Sequence, residues 1–180
     1  MTETVTIEVG GIENIKRRLD NILQKVKSKG DDSIGMRLGK IASEEAEKNF
    51  RTDADYDGFN DVVVSPARAE GKNTVVVDAS GSTVLFIEFG TGVHYSEPEH
   101  PLVSDGTFPY VRGGYGYHLG RLDSWRYEGD PGKHGEVITS GPHAGEVLTH
   151  GNPANMCMYK AGKKVRQNLK QVATEVLTSP

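Results

Sequence analysis

Six histidines, His94, His100, His118, His134, His143 and His150, crowd into one stretch of this chain. Neutral imidazole is the usual nitrogen ligand of zinc, so three converging rings could activate a water for hydrolysis. The spacing opposes this reading. No pair forms the HExxH pattern that puts two rings on one helix face, and all six lie in a glycine-rich stretch that imposes no geometry. Asp53-Ala-Asp55-Tyr-Asp57-Gly58 matches the first half of an EF-hand calcium loop, but the twelfth position, where a bidentate Glu belongs, is Val64. That stretch reads as a solvated acidic turn. Glu88 followed by His94 could be drawn as an acid–base pair, an arrangement that chance also produces in loops. There is no G-x-S-x-G elbow, Cys157 has no neighbouring base, and Gly129–Lys133 lacks the spacer and the Ser or Thr of a phosphate loop. The expectation is therefore a protein that is not an enzyme and holds no metal or other cofactor. A metal-dependent hydrolase or lytic accessory protein using the His-rich loop stands as the alternative. A small ligand- or nucleic-acid-binding module is the third class.

Composition sets the frame in which these residues sit. With 180 residues, 36% hydrophobic and 26% charged, one domain spanning 1–180 is expected, with a modest core. A net charge of −4 argues against a general nucleic-acid coat, whose affinity comes from excess Lys and Arg. No apolar run approaches the ~20 residues that span a bilayer, and the first residues lack signal-peptide character, so no membrane is expected and the cytoplasm is the expected place of synthesis. The one cysteine excludes an intramolecular disulfide and reads as a small buried hydrophobe.

The elements that must position any site are read from periodicity. Thr4–Val9 alternates like a strand. Ile12, Ile15, Leu19, Ile22, Leu23 and Val26 make the apolar stripe of a helix running to Lys29, with Lys16, Arg17, Arg18 and Lys25 opposite. A second helix from about Asp32 to Phe50 turns Ile34, Leu38, Ile41, Ala42, Ala46 and Phe50 inward, with Gly35 and Gly39 weakening its first turns. Val62–Ser65 and Thr74–Asp78 form a hairpin around an eight-residue loop, PARAEGKN. Val84–Phe89 is apolar and too short for periodicity to separate strand from buried helix. From Gly90 to Pro153 the chain holds 13 of its 22 glycines and all its histidines without sustained periodicity, and reads as a long irregular insertion. Asn155 to about Thr178 is a helix with Met158, Val165, Leu169, Val172, Ala173 and Val176 on one stripe and a basic opposite face; Pro153 sits near its first turn. The fold class is α+β: two N-terminal helices, a small antiparallel sheet, the Gly-rich insertion, and a C-terminal helix packed on the sheet.

Within Phe86-Ile-Glu-Phe-Gly-Thr-Gly-Val93, Phe86 and Phe89 can bury while Gly90 and Gly92 permit a backbone reversal, and Glu88 can accept hydrogen bonds from nearby amides. With Trp125-Arg-Tyr127, and with Thr149-His-Gly-Asn-Pro-Ala-Asn-Met156 leading to Tyr159, this pattern resembles the tailed-phage neck and tail-completion morphogenesis family, a lambda tail-completion protein Z-like group. It is most similar to members from contractile-tailed phages and phage-like particles of Gram-positive bacteria. The resemblance follows the chain in order from the N-terminal helices to the C-terminal helix. Its family-motif residues are Glu88, Phe89, Gly90, Thr91 and Gly92 at the turn, with Asn152, Pro153, Met156 and Tyr159 at the helix entry.

The resemblance implies a structural virion protein of the neck or head-proximal tail end, acting in a homo-oligomeric ring. Its neighbours would be other phage neck and tail proteins: the connector or head-closure protein and the tail terminator or tube. It would occupy the virion, and the host cytoplasm during assembly, with genome DNA passing nearby but no sequence-specific nucleic-acid binding. The insertion would lie against a neighbouring subunit, with Tyr115, Tyr117 and Trp125 as interface or loop anchors.

Overall fold

A computed structural model of the chain describes residues 12–27, 30–56, 59–71, 74–92, 100–104, 106 and 124–179. The strand expected at Thr4–Val9 lies outside the described residues. The fold is α+β.

The first helix, α1, spans Ile12–Lys27, and α2 spans Ile34–Lys48. Ser33, rather than Asp32, sets the start of α2: it is extended, and its Oγ accepts from the Met36 amide at 3.2 Å, satisfying one of the orphan donors of the first turn. The helix runs on into a π-helical turn, Asn49–Asp53, which brings Phe50 into the core. The two glycines near the start of α2 have a packing role. A Cβ on Gly39 would lie 2.7 Å from both the Ala67 Cβ and a Val75 methyl, so the hairpin seats directly on the helix backbone there.

That hairpin is longer than the sequence reading. Strands β1 (Val63–Val64) and β4 (Ala79–Ser80) pair antiparallel, and beyond them β2 (Arg68–Glu70) pairs with β3 (Thr74–Val76). The segment read as an eight-residue loop thus carries a strand of its own. Arg68, Ala69 and Glu70 are all exposed, so no alternation of apolar residues marks them. Next comes α3, Val84–Phe89, which settles the ambiguous apolar run as a helix. Asp61 holds its entry: the carboxylate accepts from the amides of Ser82 (2.7 Å) and Thr83 (3.1 Å) and from the Thr83 hydroxyl (2.9 Å). These bonds, the Ser82 amide foremost, hold the Asp61 carboxyl well below the usual carboxylate range.

The described residues 124–153 of the insertion differ from the expectation of an irregular segment. After the single turn α4 (Pro101–Ser104), residues 124–150 build a three-stranded antiparallel sheet from β5 (Trp125–Tyr127), β6 (Gly135–Val137) and β7 (Val147–Thr149), in the order β5-β7-β6. Val147 in the central strand is completely buried. The three strands of this part of the insertion therefore pair their backbones with one another within one subunit.

The C-terminal helix α5 spans Cys157–Thr178. Its principal partner is α2, not the sheet on which it was expected. Strands of two or three residues offer no face long enough for a helix of this length, whereas α2 runs alongside it. The central cluster gathers Phe50, Val62, Ile87 and Cys157, with Tyr56, Val64, Val84 and Met158 packed around it, so α3 and the start of α5 meet in the core. Burying a side chain such as Phe50 or Ile87 contributes roughly 1.5–3 kcal/mol. The expected pattern breaks in two places: Leu169 on α5 is half exposed, and Ile15, Leu19, Ile22, Leu23 and Val26 of the α1 stripe face solvent. Among the described residues no helix is long and apolar enough to cross a membrane.

Candidate functional site

The turn after α3 and the entry to α5 are built against each other. Thr91 and Asn152 form an antiparallel bridge, with the Thr91 amide donating to the Asn152 carbonyl at 2.9 Å and the Asn152 amide returning to Thr91. The Thr91 hydroxyl donates to the Asn152 side-chain oxygen, and the Asn152 amide group donates to the carbonyls of Phe86 (3.1 Å) and Pro153 (3.0 Å). Asn152 is thereby buried and saturated. Gly90 and Gly92 have φ of +81° and +72°, where a side chain is strained. There is no room for one either: a Cβ on Gly90 would lie 2.8 Å from the Ala154 amide, and one on Gly92 would lie 2.3 Å from the His150 carbonyl oxygen.

Glu88 sits at the centre of this arrangement and is 5% exposed. Helix α5 begins after Met156, which is left-handed at φ +55° and offers no capping side chain. The cap comes from Glu88. Its carboxylate accepts from the amides of Met158 (2.8 Å) and Tyr159 (3.1 Å), the donors that an N-cap residue ordinarily satisfies. The same oxygen that holds Tyr159 also meets His100 Nε2 at 2.9 Å. His100 Nδ1 accepts from the Leu102 amide at 3.2 Å, which places the ring proton on Nε2, donating to Glu88. The ring is wedged between Phe89 (4.5 Å between centroids) and Tyr159 (5.3 Å). A desolvated carboxylate is costly unless paired and hydrogen-bonded; here three donors and the positive end of a 22-residue helix supply the compensation. Two main-chain bonds complete the clasp, from the Asn155 amide to the Ile87 carbonyl (2.9 Å) and from the Met156 amide to the Glu88 carbonyl (3.0 Å).

No family model, curated protein or solved structure matches this chain.

The other residues singled out by sequence distribute as follows. Phe89 is buried beside His100, and Tyr159 is half buried on its other side. Pro153 lies in the turn that packs on Gly90 and is not in the first turn of α5, which starts four residues later. Trp125 is half buried in β5, opposite Thr149. Tyr115, Tyr117, His94 and His118 lie outside the described residues. The partner of Glu88 is His100, which spacing did not single out because a separation of twelve positions carries no local signal. His134 pairs with Asp55 (3.0 Å) and His143 with Glu146 (2.8 Å), each apart from the others. Among the described residues no group of three or more His, Cys, Asp or Glu side chains comes together around a cation position. Asp53 pairs with Lys48 (2.9 Å), and Val64, at the failed calcium position, is a β1 residue. Asp57 and Gly58 lie outside the described residues.

Cys157, on the first turn of α5, is 1% exposed, and burial, with the Glu88 carboxylate nearby, pushes its thiol up to about 12. A thiol so placed is a poor nucleophile, because the thiolate is the reactive form. The folded protein is therefore expected to resist iodoacetamide at pH 8 and to take up one label per chain once unfolded in guanidinium, as read by intact mass. Native-state labelling at the rate of a free thiol would mean that the α3–α5 junction opens far more readily than its bonding indicates.

Proposed function

We propose that this chain is a structural virion protein of a long-tailed phage or prophage. It forms part of the neck or head-proximal tail end and joins or completes head and tail as a homo-oligomeric ring. Its neighbours in that assembly are the connector or head-closure protein on one side and the tail terminator or tube on the other. The observation that carries the reading is the clasp between the Glu88–Gly92 turn and the Asn152–Tyr159 entry. The two motifs on which the family resemblance rests lie about sixty residues apart in the chain, yet they form one bonded unit. The bonding capacity of Glu88, His100 and Asn152 is committed to main chain, to the Thr91 hydroxyl and, for Glu88 and His100, to each other, which suits a framework. A deletion of the gene in its phage, examined by electron microscopy, tests the reading. Filled heads and separate, unjoined tails are the expected outcome, with the chain located at the neck in a map of the complemented particle. Intact, infectious particles lacking the protein would overturn it.

A further inference from the structure

Helix α5 carries an exposed basic stripe on the side turned away from its buried face. Cys157, Ala161, Val172 and Val176 are buried, whereas Lys160, Lys163, Lys164, Gln167, Lys170 and Thr174 are exposed. Helical spacing sorts the exposed side chains into two rows. Lys163 and Lys170 form one, Lys160 and Lys164 the other, and Gln167 stands between them. From Lys160 to Lys170 the stripe extends roughly 15 Å, at about 1.5 Å per residue.

The charge of this stripe is not cancelled by its surroundings. No acidic residue stands between Glu146 and Glu175 in the sequence, and with five basic residues against one acidic α5 carries +4 in a chain of net −4. The carboxylates at its two ends have partners of their own. Asp53, near Lys160, pairs with Lys48 at 2.9 Å, while Glu175 pairs with Arg37 and accepts from the Gln171 side chain at 2.9 Å. Among the described residues, none of the four lysines takes part in an ion pair.

What the stripe lacks narrows the choice of polyanion. It has no aromatic ring on which single-stranded bases could stack, no apolar residue to enter a bilayer, and none to form the dehydrated centre of a protein interface. It offers ammonium groups, an amide and a hydroxyl, all of which bind phosphate oxygens. Two lysine rows on one rigid helix suit a groove with a phosphate wall on each side. The major groove of B-form DNA, about 12 Å wide, admits a helix, whereas that of A-form RNA is too narrow for side chains to read.

We propose that α5 binds duplex DNA through this stripe, with one lysine row toward each phosphate wall of the major groove. Sequence has little effect on such binding, because Gln167 alone stands between the rows. This is a local face on an acidic chain and not a general coat. It does not depend on the neck reading, and the two are tested apart.

Fluorescence anisotropy of the full chain with a labelled DNA duplex of about 30 base pairs provides the test. Binding is expected with a dissociation constant of about 10⁻⁵ M in 0.05 M salt, equal for unrelated duplex sequences, and log affinity should fall against log salt with a slope of roughly −3 to −4. Lys163→Gln/Lys170→Gln should weaken binding by at least about tenfold and reduce that slope by about two, with thermal unfolding unchanged because both side chains are exposed and unpaired. Lys16→Gln/Arg18→Gln takes the same charge from α1 and should leave the slope within about one of wild type. Equal losses from the two double variants would show a response to overall charge and overturn the proposal, as would no binding at 0.1 mM protein. Tighter binding to a single strand or an RNA duplex would also overturn it. Tighter binding to polyglutamate would assign the stripe to an acidic protein, and to phosphatidylserine vesicles, to a membrane; either result sinks the DNA reading. The particle map judges the neck reading whichever result is found.

Discussion

Gly92→Val and Gly90→Val are each expected to destabilise the protein by about 4 kcal/mol, enough to leave much of the chain unfolded at 37 °C. Two costs add. A β-branched residue forced into a left-handed conformation costs roughly 1–2 kcal/mol by itself. The second cost is larger and specific to this fold: the new Cβ would stand 2.3 Å from the His150 carbonyl oxygen at position 92, or within 3 Å of the Asn152 and Ala154 backbone at position 90. Main chain cannot swing aside as the tip of a lysine can, so the turn and the α5 entry must part, and the Thr91–Asn152 bridge and its side-chain bonds are lost with them. Gly71 separates the terms. It has φ +63° with nothing within 4 Å of a Cβ, so Gly71→Ala should cost only about 1 kcal/mol. Urea unfolding midpoints for the three variants provide the measurement. Equal, small effects at all three positions would mean that the turn is ordinary loop.

Glu88→Ala is the second large effect, at about 3–5 kcal/mol, the range seen when one partner is removed from a buried charged network. The substitution leaves three donors facing a void: the amides of Met158 and Tyr159 and the Nε2–H of His100. Each loses its partner where water does not readily replace it. Glu88→Gln retains one acceptor oxygen but turns an NH2 group toward a donor, so it should fall between, at ~2 kcal/mol. His100→Ala should cost less than Glu88→Ala, since the α5 cap survives it. Amide exchange at positions 158 and 159 distinguishes loss of the cap from general loosening: it should rise in Glu88→Ala well before exchange in the middle of α5 does. A Glu88→Ala protein within 0.5 kcal/mol of wild type would show that the carboxylate is dispensable.

The parts of this fold that could be read from residues are those with many turns of repeating pattern. α1, α2 and α5 each show several successive apolar positions at helical spacing, and their ends fell within a few residues of those expected. Three-residue strands such as Trp125–Tyr127 and Val147–Thr149 hold too few side chains for alternation to register, so a real sheet passed for irregular loop. Periodicity identifies an apolar face but does not say what lies on it, and the stripe of α1 meets solvent where that of α2 meets α5. At the site, the need for glycine at positions 90 and 92 was legible because positive φ has few alternative residues. The role of Glu88 was half legible. A carboxylate near backbone donors could be expected, but donors about seventy residues downstream, and a histidine twelve away, come together only through the tertiary fold.

The clasp also bears on the order in which the molecule is made. Synthesis delivers Glu88 and the core-forming Ile87 long before Met158 and Tyr159 emerge, and α2 waits still longer for α5, its principal partner. Until then the chain has a carboxylate without its helix amides and a hydrophobic cluster without Cys157. Contacts joining one part of a chain to another made about seventy residues later raise contact order and slow folding, because loop-closure entropy is spent before the contacts compensate it. A nascent chain on the ribosome would therefore remain open here until α5 appeared, and closure would come as one step in which cap, core and helix pair form together.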